Sequence, residues 1–493
     1  MHLGLLVGLC AAAACGAYDW RQRPLLPSES LGPWGLEQWM YEQDTYARGR
    51  ILGNIAPFPR DSAALPGAVC ASPSRSHPDY YYSWTRDSAL VMLELLSWPD
   101  RGNGTIPYLD DYVGFTRHVQ GQESRYGLGE AKFYMDGSLF TKSWCNAQTD
   151  GPAIRARALI KYLWHLQQHH LEYQHLYGRG NPITTDLEYV MEVWAQNTSC
   201  DIWEESRGSH FYTLVAQQRA LQEGAQVARA LFGDWVAARR YEAVARAIGT
   251  KLQTFWDPRR EYIVATLDKS GGIQSKHSNL DMQVVLAILH HEGEWKLGMS
   301  EVAATVLKLL RVFEPMYAIN QAVVTVVNGR RIPIGIAVGR YPEDVYNGDG
   351  TSRGNPWTLI TSAVAEYHYR LGLSFANAGR AELSSEMVEL LQWTGQFHQE
   401  SLTPADSIAQ GTVLNQGDRA FGGLLKYLRD TGDLYMGRVF RHTDSDHTMY
   451  EQWRRSTGFG TGAVHLTWSY AAHTAAVRAR SSLSEHLVNP GPA

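Results

Sequence analysis

The stretch that decides the fold class runs from Pro152 to Leu166 and reads PAIRARALIKYLWHL. Proline is favoured in the first turn of a helix, where its missing N–H would have no partner in any case. The apolar side chains that follow are spaced as on one face of an α-helix. They are Ile154, Leu159, Tyr162, Leu163 and Leu166. The stretch therefore predicts an amphipathic helix with one buried face.

The same helical pattern recurs along most of the chain. Residues 88–98 are apolar on nearly every side, as expected of an inner helix. An early stripe is formed by Leu36, Trp39, Met40 and Tyr46. Further helical patterns cover residues 110–120, 185–196, 211–231, 236–256, 278–291, 300–312, 356–371, 380–396, 418–430 and 465–480. Periodicity thus predicts about thirteen helices.

Strand patterns are few. Residues 261–265 form a short one, and residues 323–327 and 331–338 flank Asn328-Gly329, a two-residue hairpin signal. We therefore expect an all-α fold with long loops and minor β-hairpins. The absence of a fixed-period repeat disfavours a regular solenoid, although periodicity alone does not separate a solenoid from a toroid of paired helices.

The composition of the 493 residues indicates a folded protein. Hydrophobic residues make up 44% and charged residues 19%, which is enough apolar material for a large core. The chain has 45 Lys and Arg against 50 Asp and Glu, so it lacks the basic excess that a nucleic-acid partner requires. No linker-like stretch divides the chain, and we expect one domain over residues 18–493, a monomer.

The N-terminal residues 1–17, MHLGLLVGLCAAAACGA, form a short apolar run that ends in small residues. The run is too short to span a bilayer comfortably and predicts a cleaved signal peptide, with a buried or anchoring helix as the alternative. A signal peptide implies a secreted or vacuolar protein with no membrane segment after cleavage. The sequons that begin at Asn103 and Asn197 agree with this route. Cleavage leaves three cysteines, which can form at most one disulfide within the chain. The sequence does not show which two of them pair. They are Cys70, Cys145 and Cys200.

Several loop segments place Trp or Tyr beside Arg, Asp or Glu. They are residues 80–87, 143–152, 201–205, 339–344, 355–357, 450–453 and 466–470. The apolar faces of a sugar ring pack on aromatic rings, and its hydroxyl groups hydrogen-bond to charged partners. Each Trp or Glu by itself also fits an ordinary packing or solvent-exposed position, so spacing alone leaves a sugar site and a plain core both open.

Cleavage of a glycosidic bond requires two carboxyl groups in different protonation states. Glu204, beside Trp203 and Ile202, is a candidate for the carboxyl that holds its proton. Glu451, far away in sequence, is a candidate for the carboxylate that stays ionised.

Five segments resemble, in family order, the signatures of the glucoamylases, glycoside hydrolase family 15. They are residues 80–88, 127–133 with 143–156, 201–221, 340–357 and 451–472. The segment 71–80 is most similar to the yeast-type enzymes. The resemblance implies an (α/α)6 barrel and an inverting, exo-acting hydrolase. The sequence contains no convincing motif for a catalytic metal, and we expect no metal or cofactor.

The implied reaction releases β-D-glucose from the non-reducing ends of α-1,4-linked, and more slowly α-1,6-linked, glucans such as starch, glycogen and maltooligosaccharides. Glu204 aligns with the general acid, Glu451 with the general base and Glu205 with a substrate-binding residue. The other implied substrate-binding residues are Tyr80, Trp84, Arg86, Asp87, Trp144, Trp203, Arg340, Trp357 and Trp468. The alternatives are a trehalase or glucodextranase on the same fold, and a glucan-binding protein that has lost catalysis.

The sequence departs from the family pattern at two places near the last motif. Val464-His465 replaces a common Arg-Asp pair, and Trp453-Arg454-Arg455 follows Glu451-Gln452. We interpret the first change as a local rearrangement of hydrogen bonds, with a shifted pH optimum or reduced activity as the alternative. No starch-binding module follows the last motif, so granular starch is expected to be a poor substrate.

Overall fold

The computed structural model describes residues 33–98, 104–321, 324–327, 330–398 and 409–489. The expected signal peptide, the sequon residue Asn103 and the Asn328-Gly329 turn lie outside the described residues.

The described part of the chain contains 13 α-helices. They are α1 (Pro33–Gly53), α2 (Thr85–Leu95), α3 (Ile106–Gln120), α4 (Asp150–Gln168), α5 (Pro182–Val193), α6 (Phe211–Phe232), α7 (Trp235–Gln253), α8 (Gln283–His291), α9 (Ser300–Met316), α10 (Thr358–Ala378), α11 (Ser385–Gly395), α12 (Arg419–His442) and α13 (Thr467–Val488). Among these described helices, none combines the length and the apolar character needed to cross a membrane.

Six of the helices form a closed inner ring. Along the ring, each helix packs against the next in the order α2, α4, α6, α8, α10 and α13. The ring closes because α13 also packs against α2. The remaining helices lie outside this ring, with α1 on α13, α7 on α6 and α12 on α10. Because inner helices are covered on all sides, α10 is buried along most of its length. This arrangement is an (α/α)6 barrel, and the predicted fold is confirmed.

Two buried arginines of α4 are paired with carboxylates on neighbouring helices. Arg155 of α4 donates to both carboxylate oxygens of Asp186 on α5, at 2.9 and 2.6 Å. Arg157 donates to Glu223 on α6 at 3.0 Å. A buried charge needs a partner and hydrogen bonds to offset its loss of hydration. The first pair connects the inner helix α4 to the outer helix α5, and the second connects the neighbouring inner helices α4 and α6.

The strands are short and lie in the loops. They are β1 (Ser83–Trp84), β2 (Lys132–Phe133), β3 (Ser199–Cys200), β4 (Ser206–His210), β5 (Trp256–Asp257), β6 (Tyr262–Ile263), β7 (Thr266–Gly272), β8 (Val324–Val327), β9 (Arg330–Pro333), β10 (Arg380–Glu382), β11 (Val413–Asn415), β12 (Tyr450–Trp453) and β13 (Gly460–Val464). β3, β4 and β7 form one antiparallel sheet, and β1–β2, β5–β6, β8–β9, β10–β11 and β12–β13 are antiparallel pairs.

Two predictions about these elements have different outcomes. The predicted pairing across Asn328-Gly329 is confirmed, because Val327 and Arg330 are partners in the β8–β9 register. The helix predicted over residues 380–396 is wrong in its first part, where β10 pairs with β11. The helix begins only after Ser384, whose side chain accepts the Met387 N–H and caps the first turn.

Candidate active site

The loops that precede the inner helices enclose one pocket with a volume of about 220 Å³. Trp84 lies just before α2, Trp357 just before α10 and Leu466 just before α13, so the pocket lies at the N-terminal ends of the inner helices. Every site residue named from the sequence lines it. They are Tyr80, Trp84, Arg86, Asp87, Trp144, Trp203, Glu204, Glu205, Arg340, Trp357, Glu451 and Trp468. The pocket lining also includes residues that the sequence analysis did not assign to the site, namely Ala71, Ile202, Tyr346 and Leu466.

Glu204 lies in a tight turn between β3 and β4. Its φ of 65° is in the left-handed region, which is uncommon for a residue other than glycine. The Glu204 N–H donates to the Asp201 carbonyl at 2.9 Å. One carboxyl oxygen, Oε1, accepts from Trp84 Nε1 at 2.7 Å and from Gln148 Nε2 at 2.8 Å. With Oε1 engaged in this way, Oε2 is the oxygen on which a proton can be carried.

Asp201 fixes the turn on which both glutamates lie. Its Oδ1 accepts the backbone N–H groups of Glu205 and Ser206, and its Oδ2 accepts Lys276 Nζ at 2.7 Å. Burial by itself would raise the pKa of Asp201, but Lys276 and His210 outweigh burial and hold that pKa well below its usual range. The carboxylate therefore stays ionised and continues to accept the backbone hydrogen bonds that fix the turn.

Glu205 points away from Glu204, toward Arg340. Its Oε1 accepts Arg340 Nη2 at 2.8 Å, and its Oε2 accepts the Tyr341 hydroxyl at 2.6 Å. Arg340 is buried and also donates from Nε and Nη2 to both oxygens of Asp344, at 2.8 and 2.6 Å. One guanidinium thus holds two carboxylates at the pocket wall.

We expect Arg340→Ala to lower the free energy of unfolding by about 3–5 kcal/mol, because breaking a buried pair leaves its carboxylates unpaired. The matched control is Arg311→Ala, which removes an exposed ion pair with Glu389 and should cost at most about 1 kcal/mol. Urea unfolding of both variants measures the difference. Equal stability of the two variants would contradict a buried, charge-paired Arg340.

Arg86 and Asp87 lie in the first turn of α2, at another side of the pocket. Arg86 Nη1 donates to Asp150 Oδ2 at 3.0 Å and to Gln148 Oε1 at 2.9 Å. Among the described residues, Arg86 Nε and Asp87 Oδ2 are buried and have no hydrogen-bond partner, although they lie 3.5 Å apart. Burial raises the pKa of Asp87 to about 6, against the pull of Arg86. These atoms are suited to receive the hydroxyl groups of a ligand.

Glu451 is buried on β12 and is held by three donors. The Tyr80 hydroxyl donates to Oε1 at 3.0 Å, while the Tyr346 hydroxyl and the Ala463 N–H donate to Oε2 at 3.3 and 3.4 Å. Burial outweighs these bonds and raises the pKa of Glu451 to about 7. Gly462, which has a φ of 74°, lies close to this carboxyl group, and a Cβ added to Gly462 would be 2.2 Å from Glu451 Oε2.

Aromatic rings form the walls. Trp203 lies 5.6 Å from Trp357 and 6.4 Å from Trp468 between ring centroids, and Trp84 lies 6.2 Å from Trp144. Behind the last pair, Lys132 is buried with Nζ 3.2 Å from the Trp144 ring centroid and 4.3 Å from that of Trp84. Burial lowers the pKa of Lys132 to about 8. A cation on these π-faces holds both indoles in place.

Residues 50–478 match the family model described as glycosyl hydrolases family 15. The chain belongs to this family. It is 34% identical to a glucoamylase of Blastobotrys adeninivorans over 85% of this chain and 68% of that protein. It is 31% identical to glucoamylase GLU1 of Saccharomycopsis fibuligera over 91% of each chain.

A solved structure of a glucoamylase has the same fold. The glucoamylase of Saccharomycopsis fibuligera superposes with a TM-score of 0.81 at 29% identity, covering 92% of this chain and 97% of that one. The resemblance noted in the sequence motifs is therefore confirmed across nearly the whole barrel.

The two departures from the family 15 pattern lie outside the pocket lining. His465 is half-buried, and its Nδ1 is 2.8 Å from the Tyr470 hydroxyl. Burial lowers the pKa of His465 to about 4. Arg455 donates to the carbonyls of Gly354 and Met316, and Arg454 is exposed. Neither arginine hydrogen-bonds to Glu451, so the added charge is directed away from it.

The cysteine pairing that the sequence left open is resolved. Cys145 and Cys200 form a disulfide with an S–S distance of 2.09 Å, and Cys70 is buried and free. The disulfide joins the loop that carries Trp144 to the strand that leads into the Glu204 turn. Burial raises the pKa of the Cys70 thiol to about 12, so this thiol stays protonated.

Proposed function

We propose that the protein is an exo-acting glucan 1,4-alpha-glucosidase that releases β-D-glucose from the non-reducing ends of starch, glycogen and maltooligosaccharides, with slower cleavage of α-1,6 bonds. The observation that carries the proposal is the pair Glu204 and Glu451. The two carboxyl groups line one pocket but have unlike surroundings, and inverting glycosidases require such a pair.

In this mechanism Glu204 is the general acid. Trp84 and Gln148 hold its Oε1 in place, which leaves Oε2 to give a proton to the glycosidic oxygen. Protonation of the leaving group is required because a sugar alkoxide is a poor leaving group. The positive φ at Glu204 is the local strain that accompanies this orientation.

Glu451 is the general base that removes a proton from the attacking water. A base works best when its pKa lies near the working pH, and a pKa of about 7 meets that condition. Direct attack on the anomeric carbon by water, opposite the departing sugar, inverts the configuration and produces β-glucose from an α-linked chain. Such a mechanism places the two carboxyl groups about 6.5–9.5 Å apart, so that water fits between sugar and base.

Cleavage at chain ends follows from the size and the charges of the pocket. Its volume is below the range of about 300–1,000 Å³ that is usual for sites of drug-sized ligands, which favours a single terminal glucose. Arg86, Asp87, Glu205 and Arg340 offer donors and acceptors for the hydroxyl groups of that glucose. Trp84, Trp144, Trp203, Trp357 and Trp468 provide apolar surfaces for its faces.

Proton NMR of the first product from maltoheptaose tests the proposal. β-Glucose is expected before mutarotation, and an end-blocked oligosaccharide is expected to resist cleavage. Initial α-glucose would mean that Glu451 is a nucleophile. Faster hydrolysis of trehalose or of isomalto-oligosaccharides would favour the trehalase or glucodextranase alternative, and binding without glucose release would favour a glucan-binding protein.

Replacement of Tyr80 by Phe should shift the pH dependence of kcat/KM to higher pH. The Tyr80 hydroxyl donates to the ionised form of Glu451 and so lowers its pKa, and losing this bond raises the pKa above about 7. Because the base works only when ionised, the acidic side of the profile should move upward. The control is Tyr82→Phe, since the Tyr82 hydroxyl bonds Asp79. An unshifted profile in Tyr80→Phe would contradict the role of Glu451.

We further propose a monomeric protein of one catalytic domain, residues 18–493, that is delivered through the secretory pathway to the outside of the cell or to the vacuole. The Cys145–Cys200 disulfide supports an oxidising destination. The apolar leader and the sequon at Asn197 agree with the same route.

A further inference from the structure

His465, where the chain departs from the family 15 pattern, lies in the short join between β13 and α13. It follows Ala463, whose N–H donates to Glu451, by two residues. It precedes Trp468, which lines the pocket, by three residues. Its φ of 54° is in the left-handed region, where histidine is more frequent than most residues. The join therefore connects a donor of the candidate base to a wall of the pocket.

The backbone of His465 holds the start of the strand that carries Glu451. The His465 N–H donates to the Met449 carbonyl at 2.9 Å. Met449 is buried and directly precedes β12, on which Glu451 is the second residue. Next to this bond, Tyr450 pairs with Val464 in the β12–β13 register.

The His465 side chain reaches the same point through Tyr470 of α13. The Tyr470 hydroxyl accepts the Met449 N–H at 3.1 Å and lies 2.8 Å from His465 Nδ1. Tyr470 is buried, and burial raises the pKa of its hydroxyl well above the usual value, so the hydroxyl stays protonated. A hydroxyl has one proton to donate. Because the oxygen already accepts the Met449 N–H, that proton is directed to Nδ1, which acts as the acceptor.

Nδ1 can accept only while the imidazole is neutral. Burial, together with Arg50 of α1, lowers the pKa of His465 to about 4, against the opposing charge of Asp446 in the loop before β12. The ring therefore stays neutral above about pH 5, and it stacks on Tyr470 with 6.2 Å between centroids. The titratable and charged side chains that face Glu451 itself are Tyr80, Tyr346 and Arg340.

We propose that His465 is a positioning residue for the general base. Its neutral Nδ1 orients the Tyr470 hydroxyl, and this hydroxyl fixes the start of the strand that carries Glu451. The role of Glu451 as the base rests on the proposed function. Glu451 accepts from two tyrosines and one backbone N–H that lie on separate segments, so a shift of β12 weakens these bonds and moves the carboxylate away from the attacking water. A displacement of about 1 Å can cost about 10²-fold in rate.

The first test removes the acceptor and keeps the ring. His465→Phe should lower kcat for maltoheptaose about tenfold or more, with KM little changed because the groups that bind glucose are untouched. The acidic side of the kcat/KM profile should move to higher pH, because weaker bonds to ionised Glu451 raise its pKa. His465→Asn places an amide oxygen close to the position of Nδ1, so it should retain the parental kcat and pH profile.

The second test asks whether the effect passes through Tyr470. Tyr470→Phe should lower kcat like His465→Phe, and adding His465→Phe to it should have little further effect, because both act through one hydroxyl. The matched control is His486→Phe, at the other end of α13, where a half-buried histidine places Nε2 2.9 Å from Asn377 Oδ1. This variant should keep the parental kcat and pH profile.

Amide hydrogen exchange of the full chain measures the strand directly. Residues 449–451 should exchange about 3–10-fold faster in His465→Phe than in the parent or the control, as expected for one lost hydrogen bond. The proposal is overturned if His465→Phe lowers only the thermal stability, if His465→Asn behaves like His465→Phe, if the loss persists in the Tyr470→Phe background, or if exchange is unchanged. A parent that does not hydrolyse maltoheptaose would instead contradict the proposed function, and exchange would still decide whether His465 fixes the strand.

Discussion

Replacement of Glu204 by Gln is expected to reduce kcat/KM for maltoheptaose by about 10²–10⁴-fold or more, with the fold retained. An amide oxygen can still accept hydrogen bonds from Trp84 and Gln148, so the side chain keeps its place. An amide has no acidic proton to give to the glycosidic oxygen. Single-turnover rates, together with circular dichroism and thermal unfolding, measure the effect and check the fold.

The choice of substrate sharpens this test. α-D-Glucosyl fluoride carries a leaving group that departs without protonation, so Glu204→Gln should retain much of its activity on the fluoride while losing it on maltoheptaose. Glu172→Gln, at an exposed position, is the control and should behave like the parent on both substrates. Near-parental turnover of maltoheptaose by Glu204→Gln would remove Glu204 from the role of acid.

Glu451→Gln is expected to show the complementary pattern, with a loss of about 10²–10⁴-fold on both substrates. The fluoride still needs an activated water, and an amide cannot take a proton from it. The amide oxygen can still accept from Tyr346 and the Ala463 N–H, and the amide NH2 can donate to the Tyr80 hydroxyl, so the loss is not due to collapse of the pocket.

The pH profile provides a second measurement on the same variant. In the parent, kcat/KM should rise as pH increases through about 7, because the buried base ionises there. Residual activity of Glu451→Gln should lack this rise. A variant that loses activity on maltoheptaose but retains it on the fluoride would exchange the roles of Glu204 and Glu451.

Much of the barrel could be predicted from local sequence because its helices carry strong periodic patterns. The segment after Pro152 forms α4 as expected, and the pattern over residues 211–231 becomes α6. The ends were less predictable. The sequence pattern predicts a helix over residues 418–430, but α12 continues to His442. Residues 380–382 pair as a strand, although they begin the stretch 380–396 for which the pattern predicts a helix. Pairing with a partner distant in sequence overrides local propensity at such places.

Some contacts of the site had no signal in the sequence. Gln148 and Tyr346 each hydrogen-bond a candidate catalytic carboxyl, from loops 56 and 105 residues away in the chain. Lys276, which fixes the Glu204 turn through Asp201, lies 75 residues beyond it. A polar residue in a loop has no periodicity, and only the closing of the inner ring brings these loops together.

The sequence by itself determined the helical architecture and, through motif similarity, the identity of the pocket residues, since side-chain type and spacing are local properties. The tertiary structure decided the environment of each residue. It paired Cys145 with Cys200, directed Glu204 and Glu205 to opposite partners, and buried Glu451 so that its pKa rises to about 7. Burial, disulfide geometry and hydrogen-bond direction depend on which distant segments meet, because hydration and electrostatic energies are set by three-dimensional neighbours and not by neighbours in the chain.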